Sequence, residues 1–207
     1  GSEMCIRDRI DPDAKAHAEY VCPVEEFERI LQRFPPENYF HLSLVVPYNC
    51  GTRISETFAI DLNEDVDFQK HELHIRGQWQ KRNKTWYIKP PKYDSYRTIK
   101  MGETLEQALK YGIHQRKLNK LKYGGAYLNT YVMPDNSITQ IRADIQVAYK
   151  EITPLCVKDT GELLTPDSFK YCARVVHYEL GNVLFHSHCL RHTHGTIPVS
   201  YTHLRAH

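Results

Sequence analysis

The sequence predicts a mainly helical α+β domain that contains one small antiparallel sheet of three strands. The apolar residues of the first helix recur at helical spacing: Val24, Phe27, Ile30, Leu31 and Phe34. Three later segments alternate polar and apolar residues, as short strands do: 71–77, 85–90 and 96–101. Helical patterns stand before and after these three segments, and this order is typical of the α+β class.

The helices are bounded by local start and stop signals. Pro23 opens the first helix, and Pro35 with Pro36 ends it. Thr165 and Gly181 are a cap and a stop for a later helix, which would bury Phe169, Cys172, Val176 and Leu180. The other helices are expected at 37–48, where apolar residues lie on more than one face, and at 53–60, 103–123, 137–152 and from 188 past 196.

The two ends of the chain are related to each other through their coding DNA. One choice of codons for Gly1 to Arg9, read on the complementary strand, translates as VSYTHLRA, which is Val199 to Ala206. Chance complementarity is the alternative. We therefore expect residues 1–9 and 198–207 to be non-native, adapter-derived peptides. Residues 10–22 would be the remainder of an interdomain linker, and 23–197 a domain truncated at its C-terminal side.

Length and composition limit the class of protein. About 190 residues suit one domain with a real core. No stretch approaches the ~18 consecutive apolar residues of a membrane span, and no signal peptide is visible. The cysteines outside the adapter-derived peptides are scattered, without CxxC pairs: Cys22, Cys50, Cys156, Cys172 and Cys189. We predict a cytoplasmic protein with reduced thiols, no disulfides and no membrane partner.

Basic residues are concentrated in two stretches, although the formal net charge is only +2. Eight bases and one acid lie between Arg76 and Lys100, and five bases with no acid lie between Lys110 and Lys122. Such patches can supply the phosphate contacts that dominate affinity for duplex DNA. The candidate DNA-binding residues are Arg76, Lys81, Arg82, Lys84 and Arg97. The alternative is a solvated hairpin and a solvated helix face.

Three segments in a fixed order carry residues suited to chemistry on a phosphodiester. CGTRISETFAIDL (50–62) has a glycine turn, then Arg53, then an acid three residues on. PPKYDSYRTI (90–99) carries Lys92 on a hairpin, and HSHCLRHTHGT (186–196) contains His188 and Arg191 in the pattern HxxRHTxxT. Together these segments resemble the signatures of the tyrosine recombinases, the phage-integrase family. DSFKYCARVVHYELG (167–181) also resembles the helix before the second signature in integrases of Gram-positive mobile elements.

The resemblance implies a fold and a set of roles. The fold would be the tyrosine-recombinase catalytic domain, and the catalytic residues would be Arg53, Lys92, His188 and Arg191. Two guanidiniums offer paired donors to the extra negative charge of a pentacoordinate phosphorus. A lysine on a hairpin can protonate the leaving 5′-hydroxyl, and His188, one helical turn before Arg191, can orient the phosphate or move a proton.

Each of these assignments has a structural alternative. Arg53 could be a salt-bridged helix arginine, Lys92 a turn lysine, and His188 with Arg191 ordinary helix residues. The run of histidines around Cys189 suggests zinc only weakly, because it lacks a cysteine pair or a distant ligand set. The tyrosines of the predicted strands, Tyr87 and Tyr96, are better explained by packing than by base stacking.

The resemblance implies a site-specific integrase of a mobile element, which cleaves and rejoins DNA through a 3′-phosphotyrosine. It implies no metal or other cofactor, and its partners would be double-stranded attachment sites and further recombinase protomers. The nucleophilic tyrosine is expected beyond Arg191, whereas Tyr201 lies in the adapter-derived peptide, so we expect this chain to bind DNA without cleaving it. The alternative is a non-catalytic DNA-binding module. A metal-dependent nuclease would need clustered carboxylates, which the sequence does not show.

Overall fold

A computed structural model of the chain describes residues 20–196. Both predicted adapter-derived peptides, most of the predicted linker and Tyr201 lie outside the described residues. The structure confirms the α+β class. It corrects the number of sheets and replaces one predicted helix with strands.

The first three helices pack together, and the second of them is almost entirely buried. They are α1 (Val24–Arg33), α2 (His41–Cys50) and α3 (Ile54–Phe58). The α1 helix packs on α2 through Phe27 and Tyr48, whose stacked rings lie 3.7 Å apart between centroids. Nearly every α2 side chain is buried, as its apolar composition predicts. The α2 helix begins four residues later than predicted. The reason is a turn at Asn38, whose side-chain oxygen accepts a hydrogen bond from the backbone N–H of Phe40.

The three predicted strands all exist, but they do not form one sheet. Strands β1 (Val66–Asp67), β2 (Glu72–Ile75) and β5 (Arg97–Lys100) form a three-stranded antiparallel sheet. Strand β4 (Thr85–Lys89) pairs instead with β3 (Gln78–Arg82) in a separate hairpin. Its two-residue turn, Asn83-Lys84, has φ of 46° and 68°, as a tight hairpin requires. The prediction of a single three-stranded sheet was therefore wrong.

A second three-stranded sheet lies where a helix was predicted over 137–152. It consists of β6 (Leu128–Val132), β7 (Ile138–Arg142) and β8 (Lys150–Ile152), with β6 in the centre. The turn Pro134–Ser137 starts β7, with Asn136 at φ 65° and the Met133 N–H donating to the Ser137 carbonyl. This turn chemistry and the pairing with β6 outweigh the helical spacing of the isoleucines.

The remaining helices fall close to their predicted positions. The α4 helix (Glu103–Tyr123) has the predicted bounds and packs on α2 at Gly112, where an added methyl would lie 2.8 Å from Leu42. The α5 helix (Phe169–Tyr178) begins four residues after the predicted cap Thr165, because Ser168 Oγ accepts the Thr165 N–H in a turn. The α6 helix (Ser187–Thr196) packs against α2 and carries the second signature.

Two further observations concern the chain as a whole. The five cysteines within the described residues are free and buried. Across residues 20–196, no helix combines the length and apolar character needed to cross a membrane.

Candidate functional site

Glu56 lies at the centre of the site, at the start of the short helix α3. Its side chain has no exposed surface, and Arg53 contacts its carboxylate through both the backbone and the side chain. The backbone N–H of Arg53 donates to Glu56 Oε2 at 2.9 Å, and Arg53 Nη1 donates to Oε1 at 3.0 Å. The predicted arginine and the acid three residues on therefore form one unit, in which the carboxylate caps the helix and orients the guanidinium.

Arg97 of strand β5 completes this unit from another part of the fold. Its Nη2 donates to Glu56 Oε2 at 2.7 Å, and its Nη1 lies 3.3 Å from Oε1. Burial raises the pKa of Glu56, but the hydrogen bonds and charges of Arg97 and Arg53 outweigh burial, and the pKa is lowered. Glu56 is therefore a buried carboxylate that two guanidiniums keep ionised.

The second signature meets the first at a glycine turn. Gly51 ends α2 in the left-handed conformation, with φ 61°, and Arg191 Nη1 of α6 donates to its carbonyl oxygen at 2.8 Å. A Cβ atom at position 51 would lie 2.7 Å from the ring of His194, so only glycine allows α6 to approach this closely. The turn that precedes Arg53 thus also anchors Arg191.

Arg53, Arg191 and His188 lie within electrostatic reach of one another. The pKa of Arg191 is lowered, first by burial and then by the positive charges of Arg53 and Arg97. The pKa of His188 is lowered as well, first by burial and then by its cationic neighbours, which include Arg191 and Arg53. The positive charges around Arg191 and His188 are therefore concentrated in one place, and an anion such as a phosphate would relieve their repulsion.

Lys92 occupies a different setting. It begins a short 3-10 turn (Lys92–Asp94) between β4 and β5, and its exposed ammonium lies 5.0 Å from the centroid of the Tyr93 ring. It is not among the charges that shift the pKa of Arg191. The link from this turn to the site is indirect, through Arg97 Nη1, which donates to the Ser95 carbonyl at 3.2 Å.

The candidate DNA-binding residues divide into two groups. Arg82 and Lys84 are exposed at the tip of the β3–β4 hairpin. The other three are engaged with acids: Arg76 with Asp65 at 2.6 Å, Lys81 with Asp167 at 2.5 Å, and Arg97 with Glu56. Sequence reasoning noted Glu56 only as part of a motif and missed its pairing with Arg97, since no local pattern links residues on separate elements.

The histidine-rich helix α6 does not form a metal site. Across residues 20–196, no group of three or more histidine, cysteine, aspartate and glutamate side chains is arranged to hold an ion. The rings of His188 and His192 instead meet edge to face, with centroids 5.3 Å apart.

Histidines whose pKa is lowered in the folded chain predict a loss of stability at mildly acidic pH, and of the three concerned His41 is buried whereas His188 and His194 are exposed. Burial is the first cause that lowers the pKa of His41, His188 and His194. The unfolded chain therefore binds more protons as the pH falls through about 6.5, the ordinary histidine pKa, and the free energy of unfolding decreases. We expect a lower urea midpoint at pH 5.5 than at pH 7.5. His41→Asn, which can still donate to the Phe34 carbonyl, should reduce this difference, whereas the exposed His114→Asn should not.

No family model and no curated protein matches the chain. The fold of the Tn1549 transposon integrase in complex with transposon right end DNA matches with a TM-score of 0.59 and 21% identity. Two of its complexes with circular intermediate DNA match with TM-scores of 0.60 and 0.59, at 19% and 18% identity.

These matches cover 85% of this chain and 52–53% of the integrase chains, so this chain spans about half their length. This chain therefore shares its fold with the matched part of the Tn1549 transposon integrase.

Proposed function

We propose that this chain is the catalytic domain of a site-specific DNA recombinase, an integrase of a mobile element. The observation that carries the proposal is the meeting of Arg53 and Arg191, from distant signatures, beside the ionised Glu56. The fold supports it, because the similar integrase structures are complexes with DNA. A non-catalytic DNA-binding module is the second candidate, and only the exposed bases of the hairpin tip favour it.

The proposed reaction begins with a phosphodiester held by Arg53 and Arg191. A tyrosine oxygen attacks phosphorus, the bond to the 5′-oxygen breaks, and the extra negative charge falls on the non-bridging oxygens. Preorganised guanidiniums stabilise that charge without reorganisation. Because neither arginine is fully exposed, their donors act in a medium less polar than water, where such hydrogen bonds are stronger.

Two proton transfers accompany this step. His188 is kept neutral at pH 7 by its lowered pKa, so its ring can accept the proton of the attacking tyrosine. Lys92 is the proposed donor to the leaving 5′-oxygen. Its position on an exposed turn requires that turn to close over the bound DNA, since the ammonium contacts the Tyr93 ring in this structure.

The polypeptide of 207 residues is expected to form no covalent DNA adduct. Attack requires the phenol oxygen in line with phosphorus, and a misplacement of about 1 Å can cost about a hundredfold in rate. Tyr201 lies in the segment 198–207, which we propose to be adapter-derived, so nothing in its proposed origin fits it to this geometry. The measurement is incubation with a nicked suicide duplex followed by denaturing electrophoresis. A shifted band that disappears in Tyr201→Phe would contradict the expectation.

The same assay tests the proposed function when it is applied to the protein encoded by the uninterrupted gene, recovered from its source. That protein should give the shifted band, and Arg191→Ala should abolish it while leaving the protein folded. The exposed Arg29→Ala on α1 is the control and should leave the band unchanged. An intact protein that binds DNA but never forms the adduct would support the non-catalytic alternative.

The chain should bind duplex DNA weakly, with little sequence preference and a steep dependence on salt. When the logarithm of the binding constant is plotted against the logarithm of the salt concentration, each neutralised phosphate contributes about −0.9 to the slope. Arg82→Ala combined with Lys84→Ala should make the slope shallower by roughly 2, as measured by fluorescence anisotropy. Lys150→Ala, a lysine already paired with Glu64, is the control. Affinity independent of salt would contradict phosphate binding.

A further inference from the structure

Arg97 connects three parts of the site through one guanidinium. Its two terminal nitrogens both contact the Glu56 carboxylate, at 2.7 and 3.3 Å. One of them, Nη1, also donates to the carbonyl of Ser95 at 3.2 Å. Ser95 follows directly after the 3-10 turn that begins with Lys92. A single side chain thus joins the glutamate that orients Arg53 to the segment that carries Lys92.

The contacts of Glu56 show why this connection matters. Each carboxylate oxygen accepts one hydrogen bond from Arg53 and has one contact to Arg97. The carboxylate is fully buried, so water cannot replace a lost partner without a change in packing. Removing Arg97 would therefore leave half of the carboxylate's contacts unmade and loosen the geometry that Glu56 imposes on Arg53.

We propose that Arg97 is a positioning residue. It fixes the Arg53 guanidinium and the Lys92 turn relative to each other, through its contacts with Glu56 and the Ser95 carbonyl. This rests on the proposed function, and it replaces the sequence-based role of Arg97 as a DNA contact. The inward hydrogen bonds of both terminal nitrogens favour positioning over direct contact. Arg82, which is exposed at the hairpin tip, shows the arrangement expected of a direct contact.

The proposed positioning role requires an arginine, because only a guanidinium presents two coplanar N–H donors to the two carboxylate oxygens. Two nitrogens in one plane contact the two oxygens of Glu56, and one of them also reaches a carbonyl. A lysine would supply charge beside Glu56 from a single nitrogen, without the paired contact. Arg97→Lys should therefore keep Glu56 ionised and the domain folded, yet fail to hold Arg53 and the Ser95 carbonyl together.

The experiment measures the state of Arg53 directly, in the 207-residue chain. The Nε–Hε signal of Arg53 is followed by ¹⁵N NMR during a titration with sulfate, which remains a dianion across the pH range of the test. The variants are Arg97→Ala and Arg97→Lys, and Arg29→Ala, at an exposed arginine of α1 that is paired with Glu26, is the matched control. In the unchanged chain, sulfate should shift the Arg53 and Arg191 signals in parallel.

We expect Arg97→Ala to broaden or shift the Arg53 signal before sulfate is added. Its sulfate affinity should fall about tenfold, which corresponds to one lost charge-assisted hydrogen bond. Arg97→Lys should show the same change in Arg53 with a smaller loss of melting temperature, which keeps the test valid if the alanine variant unfolds. An Arg53 signal in Arg97→Ala and Arg97→Lys that is as unaffected as the Arg53 signal in Arg29→Ala would overturn the proposal.

A double variant separates positioning from direct contact. In a Glu56→Gln background, Arg97→Ala should add little to the weakening of sulfate binding, because Arg97 acts through Glu56. Full additivity would overturn the proposal in favour of a direct anion contact. If sulfate fails to bind the unchanged chain while Arg97→Ala still perturbs Arg53, the positioning role stands and the proposed function fails.

Discussion

Glu56→Gln is expected to lower the free energy of unfolding by about 3 kcal/mol. The glutamine keeps the shape of the side chain but removes the charge that balances Arg53 and Arg97 inside the protein. Breaking a buried ion pair by removing one partner costs roughly 3 to 5 kcal/mol. We expect the lower end, because both guanidiniums retain some exposure and can be partly solvated.

Urea unfolding of the variant at pH 7 measures this loss. Glu64→Gln is the matched control, since Glu64 is half exposed and its ion pairs lie on the surface, where they contribute at most about 1 kcal/mol. The lowered pKa of Glu56 predicts a second measurable effect of the substitution. Its stabilisation is present at neutral pH and is lost as the pH falls through the folded pKa, so Glu56→Gln should flatten the acid side of the stability profile. Equal losses in both variants would contradict the buried ion-pair network.

Gly161→Ala is expected to destabilise the domain by about 3 kcal/mol through the second sheet. Gly161 has φ 84°, a conformation that costs an alanine roughly 1 to 2 kcal/mol. The added methyl would lie 2.3 Å from the backbone oxygen of Leu128 and 2.7 Å from the ring of Tyr127, so β6 must shift. Overpacking of this kind typically costs about 1 to 3 kcal/mol more.

Gly102→Ala is the control for this prediction. Gly102 has negative φ at the start of α4, and nothing lies within 4 Å of an added methyl. Thermal unfolding of the two variants should therefore differ clearly. An equal melting temperature for both would mean that the close approach of the 158–163 turn to β6 is not present in solution.

Helices with strong local signals were predicted well. The α4 helix has the predicted bounds, because a long uninterrupted helical pattern ends at the glycines Gly124 and Gly125. The α1 helix and the buried character of α2 likewise followed from the spacing of apolar residues and from prolines. In these segments, local preference and tertiary packing favour the same structure.

Sheets were predicted less well, because strand pairing joins residues that are distant in sequence. The alternating pattern identified β2, β4 and β5, yet gave no information on which of them pair. Strand β3 (Gln78–Arg82) has a single buried residue, Trp79, and so lacked the apolar alternation that marks a strand. The isoleucines of β7 and its flanks fit a helical period, and only the pairing with β6 made the segment extended.

The sequence by itself determined which residue types are available for phosphate chemistry. Arg53, Lys92, His188 and Arg191 are recognisable because signature spacing is a local property of helices and turns. Only the tertiary structure decided how those residues are held. The burial of Glu56, its second partner Arg97 and the anchoring of Arg191 on the Gly51 carbonyl each join separate elements. Charge alone indicated DNA contact for Arg97, but the direction of its side chain depends on which carboxylate the fold places beside it.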